Sequence, residues 1–271
     1  MNQKQLLVWN KKGIFPGPKE GKKEFLDRAH FFLSNPSAVQ KNTALKSQQD
    51  FCEEKLKKLF DISVNWLGIE EKLCSCFPWQ LAISEFYEKK PYVKISIKKK
   101  QYFETYSLEE KITHEIAHAC RMSFDDDEFE EILAYQTSPQ TFRRLLGPIA
   151  ESSMPLYLLF SLLSLLVDCI NIFFDFSLWI SLILKSLAVL FFFIDLLCLC
   201  EKQRTFHQCL KNLEKIKKDK GLAIAYRLSD QEIRLFSKKT VDQIRWFAEE
   251  EKKHSFRWEI LYQCYFKKLA T

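Results

Sequence analysis

The sequence has no dominant charge, no disulfide framework and no leader-like opening. Across 271 residues, 41 Lys and Arg stand against 35 Asp and Glu, a formal net charge of +6. No basic–aromatic motif accompanies that small excess, so nucleic-acid binding is not expected. The nine cysteines are odd in number and scattered, which argues against a disulfide scaffold and for reduced thiols in a cytoplasmic setting. Cys74 and Cys76, like Cys198 and Cys200, have C-x-C spacing. One pair stands alone and the other ends an apolar run, so no structural metal is expected there. Met1 to Asn10 holds a short apolar run before Lys11 and Lys12, which is not the pattern of a cleavable signal peptide. Histidine is scarce too: the chain has five, and two of them share one five-residue window.

That window, His114-Glu115-Ile116-Ala117-His118, spells H-E-x-x-H. Residues four apart lie on one face of a helix, so the two imidazoles can grip one metal ion. Glu115 lies beside that face, where a carboxylate can take a proton from an activated water. Three fixed letters of these types arise by chance in roughly one chain per hundred, so the surroundings must decide. Ser107-Leu108-Glu109-Glu110 has the form of a capping box, placed before an apolar-periodic run. It predicts a helix starting near Leu108 that packs through Ile112, Ile116, Ala119 and Cys120. Upstream, Tyr92 to Ile97 alternates apolar and polar residues, the pattern of a half-buried strand.

A strand leading into an H-E-x-x-H helix resembles the arrangement of zincin metallopeptidases, over roughly Pro91 to Thr137. Catalytic zinc normally has three protein ligands and a water. The metzincin extension is excluded, because Arg121 and Phe124 stand where its Gly and His would be. Asp125-Asp126-Asp127 is a polar break able to cap a second helix. Glu131 with Ala134 then gives E-x-x-A, which looks like the glutamate helix of the gluzincins. That resemblance makes Glu131 the third zinc ligand beside His114 and His118. Glu130 is the runner-up, since helix neighbours point about a hundred degrees apart and only one can face the metal. Two departures stand out. The gap from His118 to Glu131 is shorter than in thermolysin-like enzymes, and Tyr135 occupies the position of an Asp that steadies a histidine ring. Tyr135 is a candidate for orienting His114 or stabilising an oxyanion, with a core position as its alternative.

From Met154 to Cys200 the chain is almost continuously apolar. About twenty residues span a bilayer as a helix, so this stretch predicts two passes divided near Phe174 to Ser177. Arg143 and Arg144 precede it, and Lys202, Arg204 and Lys211 follow. By the positive-inside rule both soluble parts are expected in the cytoplasm. The basic run Lys211 to Lys220 suits an anionic leaflet. Asp168, Lys185 and Asp195 interrupt the apolar stretch. Intramembrane charges are costly and usually have partners, and an Asp168–Lys185 pair across the hairpin, setting helix pairing or oligomerisation, is one expectation.

Outside the metal region, Lys22 to Leu33 and Ala44 to Phe60 show apolar residues at helical spacing. Gly13 to Pro18 is a turn-rich stretch that either is structural or folds over a cleft. Ser229 and Thr240 open two C-terminal helices, and Phe256 to Phe266 forms an aromatic amphipathic segment suited to the metal domain or the membrane surface. The expected fold class is therefore α+β, mainly helical, with a small sheet in a zincin-like metal domain. Its expected parts are a metallopeptidase domain (1–150), a transmembrane hairpin (154–200) and a C-terminal helical segment (201–271). The expected function is a membrane-anchored zinc metalloendopeptidase acting on a peptide or protein, with Glu115 as general base and the strand at Val93 to Ile97 pairing with substrate. The alternatives are a non-catalytic membrane adaptor and a zinc-responsive regulator. Oligomeric state is left open.

Overall fold

A computed structural model describes residues 3–34, 43–64, 66–71, 82–86, 93–97, 107–126, 128–152, 154–174 and 178–267. Three helices open the chain: α1 (Gln3–Lys11), α2 (Lys22–Ser34) and α3 (Thr43–Phe60). Strands β1 (Gly68–Glu71), β2 (Ala82–Phe86) and β3 (Val93–Ile97) follow, and then α4 (Leu108–Cys120), α5 (Glu130–Tyr135) and α6 (Thr141–Ser152). Next come α7 (Met154–Phe174), the long α8 (Leu178–Ile216), α9 (Gly221–Ala225), α10 (Asp230–Lys238), α11 (Val241–Glu251) and α12 (Phe256–Leu261). A π-helical turn, Tyr262–Phe266, continues α12. Tyr92, Cys74, Cys76 and the turn at 175–177 lie outside the described residues.

The α+β class expected from the sequence is corrected. Among the described residues helix dominates, and the strands are three pieces of four or five residues in the order β1-β3-β2. Pieces that short cannot form a layer for helices to cover, so the architecture is set by helix-on-helix packing. A second correction concerns β3. It pairs in parallel with β1 and antiparallel with β2, so both edges of its backbone are in use. A strand occupied on both sides has no free ladder to offer an extended substrate.

The core is built from both ends of the chain. Leu56, Phe60 and Ile62 from the first third join Ile112, Ile116 and Leu133 near the histidine window. Tyr226, Ile233, Phe236, Trp258 and Leu261 from the last third complete one continuous buried cluster. Arg227, 1% exposed, fastens the two ends. It donates to the Asn10 side chain at 2.8 Å and to the Phe60 carbonyl at 2.7 Å. The stretches expected as a 1–150 domain and a separate 201–271 segment therefore share one interior. The turn at Gly13 to Pro18 is part of that interior: Phe15 is buried edge-on to Phe124 and Tyr226. Gly17 lies so close to the Ser123 carbonyl that an added Cβ would sit 1.9 Å from it.

Helix α8 changes environment along its length. Its first half exposes Trp179, Leu182, Ile183, Val189, Leu190 and Phe193, while its second half buries Leu199, Phe206, Cys209 and Leu213. Its 39 residues reach about 58 Å at the usual rise of about 1.5 Å per residue. One helix, Trp179–Ile216, is long and apolar enough to cross a membrane. Helix α7 lies antiparallel against it, since Phe160 stacks on Phe191 while the later Asp168 pairs with the earlier Lys185.

Candidate metal centre

The histidine helix begins where its cap predicts. Ser107 is extended, and its hydroxyl accepts from the Glu110 N–H at 3.2 Å. The other half of the expected capping box is diverted. Glu110 is 5% exposed and bonds the Ser138 hydroxyl and the Arg143 guanidinium, which ties α4 to α6. Ile112, Ile116, Ala119 and Cys120 are buried, so the opposite face of α4 holds His114 and His118 half-open.

The helix ends at Arg121, whose side chain is 1% exposed. Its guanidinium donates to the carbonyls of Tyr226 at 2.6 Å and Leu228 at 3.2 Å, and it lies over the Phe124 ring. The Tyr226 hydroxyl returns a hydrogen bond to the Ala117 carbonyl within the motif itself. Neither Asp125 nor Asp126 caps α5. Instead Asp230, about a hundred residues on, accepts from the N–H groups of Glu128 at 2.7 Å and Phe129 at 3.4 Å. Asp126 caps in the other direction, accepting from the Asp230 N–H at 3.1 Å. This reciprocal clasp makes the short turn between the two helices possible.

The clasp sets Glu130 and Glu131 against the histidines. His118 Nε2 lies 3.2 Å from His114 Nε2 and 3.2 Å from Glu131 Oε1. His114 Nε2 is 3.6 Å from Glu131 Oε2. One ligand atom from each of the three side chains falls within 4.8 Å of the others. Two ligands of a tetrahedral zinc, each about 2.0–2.1 Å from the ion, stand about 3.3–3.4 Å apart. The His118–His114 and His118–Glu131 spacings are close to such an edge, while His114 meets the other carboxylate oxygen of Glu131, so the donor set of two imidazoles and one carboxylate suits a zinc ion. Glu130 takes a different place: its Oε1 lies 2.9 Å from His118 Nδ1. A carboxylate on the far nitrogen holds an imidazole in orientation and makes its other nitrogen more basic. The two neighbouring glutamates thus stand on opposite nitrogens of His118, Glu131 as the candidate ligand and Glu130 behind the ring.

The electrostatics of the pair are asymmetric. Burial, with the charge of His118 adding to it, pushes His114 down to about 4. Burial also opposes charge on His118, but hydrogen bonds to Glu130 and Glu131 overcome it and raise His118 well above its usual value. Without a metal, two facing imidazole nitrogens are held together by one shared positive charge, carried by His118. Glu115 is half-buried, and its charge also favours the charged form of His118.

Tyr135 is 8% exposed, and its ring meets the His114 ring edge-on at 4.7 Å. Gly147 of α6 supports it from behind: a Cβ there would lie 2.4 Å from the tyrosine ring. Tyr135 therefore packs against His114 through its ring, from a position in the core. An open cavity of about 130 Å³ lies beside Glu131 and Ile132, lined by Pro148 and Ile149 of α6 and by Leu199 and Lys202 of α8. His30 packs on Trp9, and His207 and His254 are exposed, so none of these joins the centre. Sequence reasoning missed Arg121, Tyr226 and Asp230, for which no local signal existed. It weighed Glu130 only as a rival to Glu131. No protein-family model matches this chain, and no curated protein or solved structure is similar to it.

Proposed function

We propose that the protein is a membrane-anchored, zinc-dependent peptidase of the H-E-x-x-H type. The observation that carries this reading is the convergence of His114, His118 and Glu131, one ligand atom of each within 4.8 Å of the others, with Glu115 directly after the first histidine. A zinc ion at this centre supplies Lewis-acid activation of a water and of the scissile carbonyl. His114 and His118 hold the ion as neutral imidazoles, which requires His118 to give up its proton. Glu130 keeps the His118 ring turned toward the centre, and Tyr135 keeps His114 in place. Glu115 accepts the proton of the attacking water and passes it to the leaving amine. A purely structural zinc site does not need a carboxylate at that position, which argues against a non-catalytic adaptor.

The anchor is a two-pass hairpin. The stretches before α7 and after α8 share one core, so they lie on the same side of any membrane the chain enters. If α8 crosses, the chain must cross an even number of times, and α7 is the return pass. Arg143, Arg144, Lys202 and Arg204 flank the hairpin, and by the positive-inside rule they favour the cytoplasmic side for the shared core.

Zinc content and hydrolysis of a peptide library, measured together on detergent-purified protein, test the proposal. Wild type and Glu115→Gln should each hold one zinc, and the variant should lose roughly 10²–10⁴-fold in turnover. A variant that cleaves as fast as wild type refutes the role of Glu115. A wild type that stays metal-free after zinc loading refutes the centre.

A further inference from the structure

The hairpin carries a belt of outward apolar side chains, and one level of it is polar. On α7, Ser164, Asp168 and Asn171 recur at i, i+4 and i+7 and share a face. The Ser164 hydroxyl and both amide atoms of Asn171 are buried without a hydrogen-bond partner. Asp168 Oδ2 accepts from Lys185 Nζ of α8 at 2.9 Å, and Oδ1 accepts from the Ser181 hydroxyl. This ion pair is open to the outside: 39% of the Asp168 side chain and 53% of the Lys185 side chain are exposed.

Its depth makes that exposure costly. Asp168 lies six residues before the end of α7 at Phe174, and Lys185 lies seven after the start of α8 at Leu178. At about 1.5 Å per residue this is roughly 9–10.5 Å from those two helix ends, about a third of the thickness of a hydrocarbon layer about 30 Å thick. No water is available there to complete the shells of the two charges, and intramembrane charges ordinarily face protein.

We infer that a second copy of this chain covers the pair, the two hairpins associating about a twofold axis along the membrane normal. Such a rotation keeps each residue at its own depth and reverses the direction from Asp168 to Lys185. Asp168 of one copy then faces Lys185 of the other, and the reverse, so the two pairs close into a ring of four alternating charges. The open pair is complementary to itself, which is what an isologous interface requires. The inference rests on the membrane hairpin proposed above and not on the peptidase chemistry.

The double exchange Asp168→Lys/Lys185→Asp tests it, with the full chain reconstituted in phospholipid vesicles. The exchange keeps the ion pair within each hairpin and its self-complementarity, but reverses its direction. With two differently tagged copies, wild type should recover wild type and the exchange variant should recover itself. Mixed recovery of one by the other should fall roughly tenfold or more, because like charges then face each other. The neutral variant Asp168→Asn/Lys185→Gln adds no charge to the bilayer, and it should lose like-with-like recovery to a similar degree at unchanged circular dichroism. Mixed pairs forming as freely as like pairs, undiminished pairing of the neutral variant, or monomeric wild type retained in the vesicles would each overturn the pairing while leaving the membrane anchor intact. Release of wild type by alkaline carbonate would refute the anchor itself and the pairing with it.

Discussion

Replacing Glu130 by Gln separates the two glutamates of α5. Glu131 places an oxygen 3.2 Å from His118 Nε2, on the side where the three donors converge. Glu130 instead lies 2.9 Å from His118 Nδ1, on the far side of the ring. Glutamine keeps the length of the side chain and a carbonyl oxygen, and loses the charge. Loss of such an outer partner typically weakens metal binding 10–100-fold, about 1.4–2.7 kcal/mol. A second effect opposes it. The Glu130 carboxylate helps to raise His118 well above its usual value, so in wild type near neutrality zinc must displace a proton from that ring. The variant binds this proton less tightly and has less to displace. The affinity loss should therefore sit near tenfold at neutral pH and approach a hundredfold in alkali, where His118 is deprotonated in both proteins. Zinc titration against a chromophoric chelator at the two pH values reads both numbers. Glu131→Gln, which removes a ligand, should cost far more at either pH. The ligand assignment fails if Glu130→Gln abolishes binding while Glu131→Gln binds nearly as wild type does. The proton argument fails if the loss for Glu130→Gln shrinks as pH rises.

Gly147→Ala pushes a methyl to within 2.4 Å of the Tyr135 ring, an overpacking that should cost about 1–3 kcal/mol. Because that ring also braces His114, zinc affinity should fall together with the midpoint of thermal unfolding; a stability loss with unchanged affinity would show that Tyr135 does not hold the histidine. Arg121→Met deletes two charged hydrogen bonds to the carbonyls of Tyr226 and Leu228, worth about 3 kcal/mol or more together. Thermal unfolding in detergent should show it, and a loss below about 1 kcal/mol would refute the role of Arg121 as the clasp between the two ends of the chain. Zinc binding should release about one proton near neutral pH, since His118 is held charged and His114, pushed down to about 4, is already neutral. Calorimetry in buffers of different ionisation enthalpy counts that proton, and release of none would contradict the raised His118. In the metal-free protein the same shifts give opposite trends. The His118 contribution to stability is fully present below about 6.5 and is lost as pH rises through its higher folded value. The His114 contribution is lost as pH falls from about 6.5 toward about 4.

Short-range patterns in the chain determined a good deal. The hydroxyl of Ser107 and the apolar period through Ile112 and Ile116 define the histidine helix, because capping and amphipathic packing act over three or four residues. Helical spacing does the same for α2 and α3, and Ser229 forms the full capping box at α10 that its sequence predicts. The long apolar run that includes α8 is legible because the capacity to cross a bilayer depends on length and composition alone. What the sequence overstated was the strand content and the free edge of Val93 to Ile97. Alternation marks a strand but does not say how many neighbours it has.

Tertiary structure decided the rest. Which nitrogen of His118 each of Glu130 and Glu131 meets depends on the rotation of a six-residue helix, and that rotation is set by Asp230 and Asp126 across the clasp. Arg121 could be read only as the absence of a metzincin glycine, yet it is the hub that carries the C-terminal helices onto the metal helix. Contacts between residues about a hundred positions apart leave no periodic trace in one sequence. The two ends of this chain therefore meet around the candidate metal centre for reasons visible only once they are folded together.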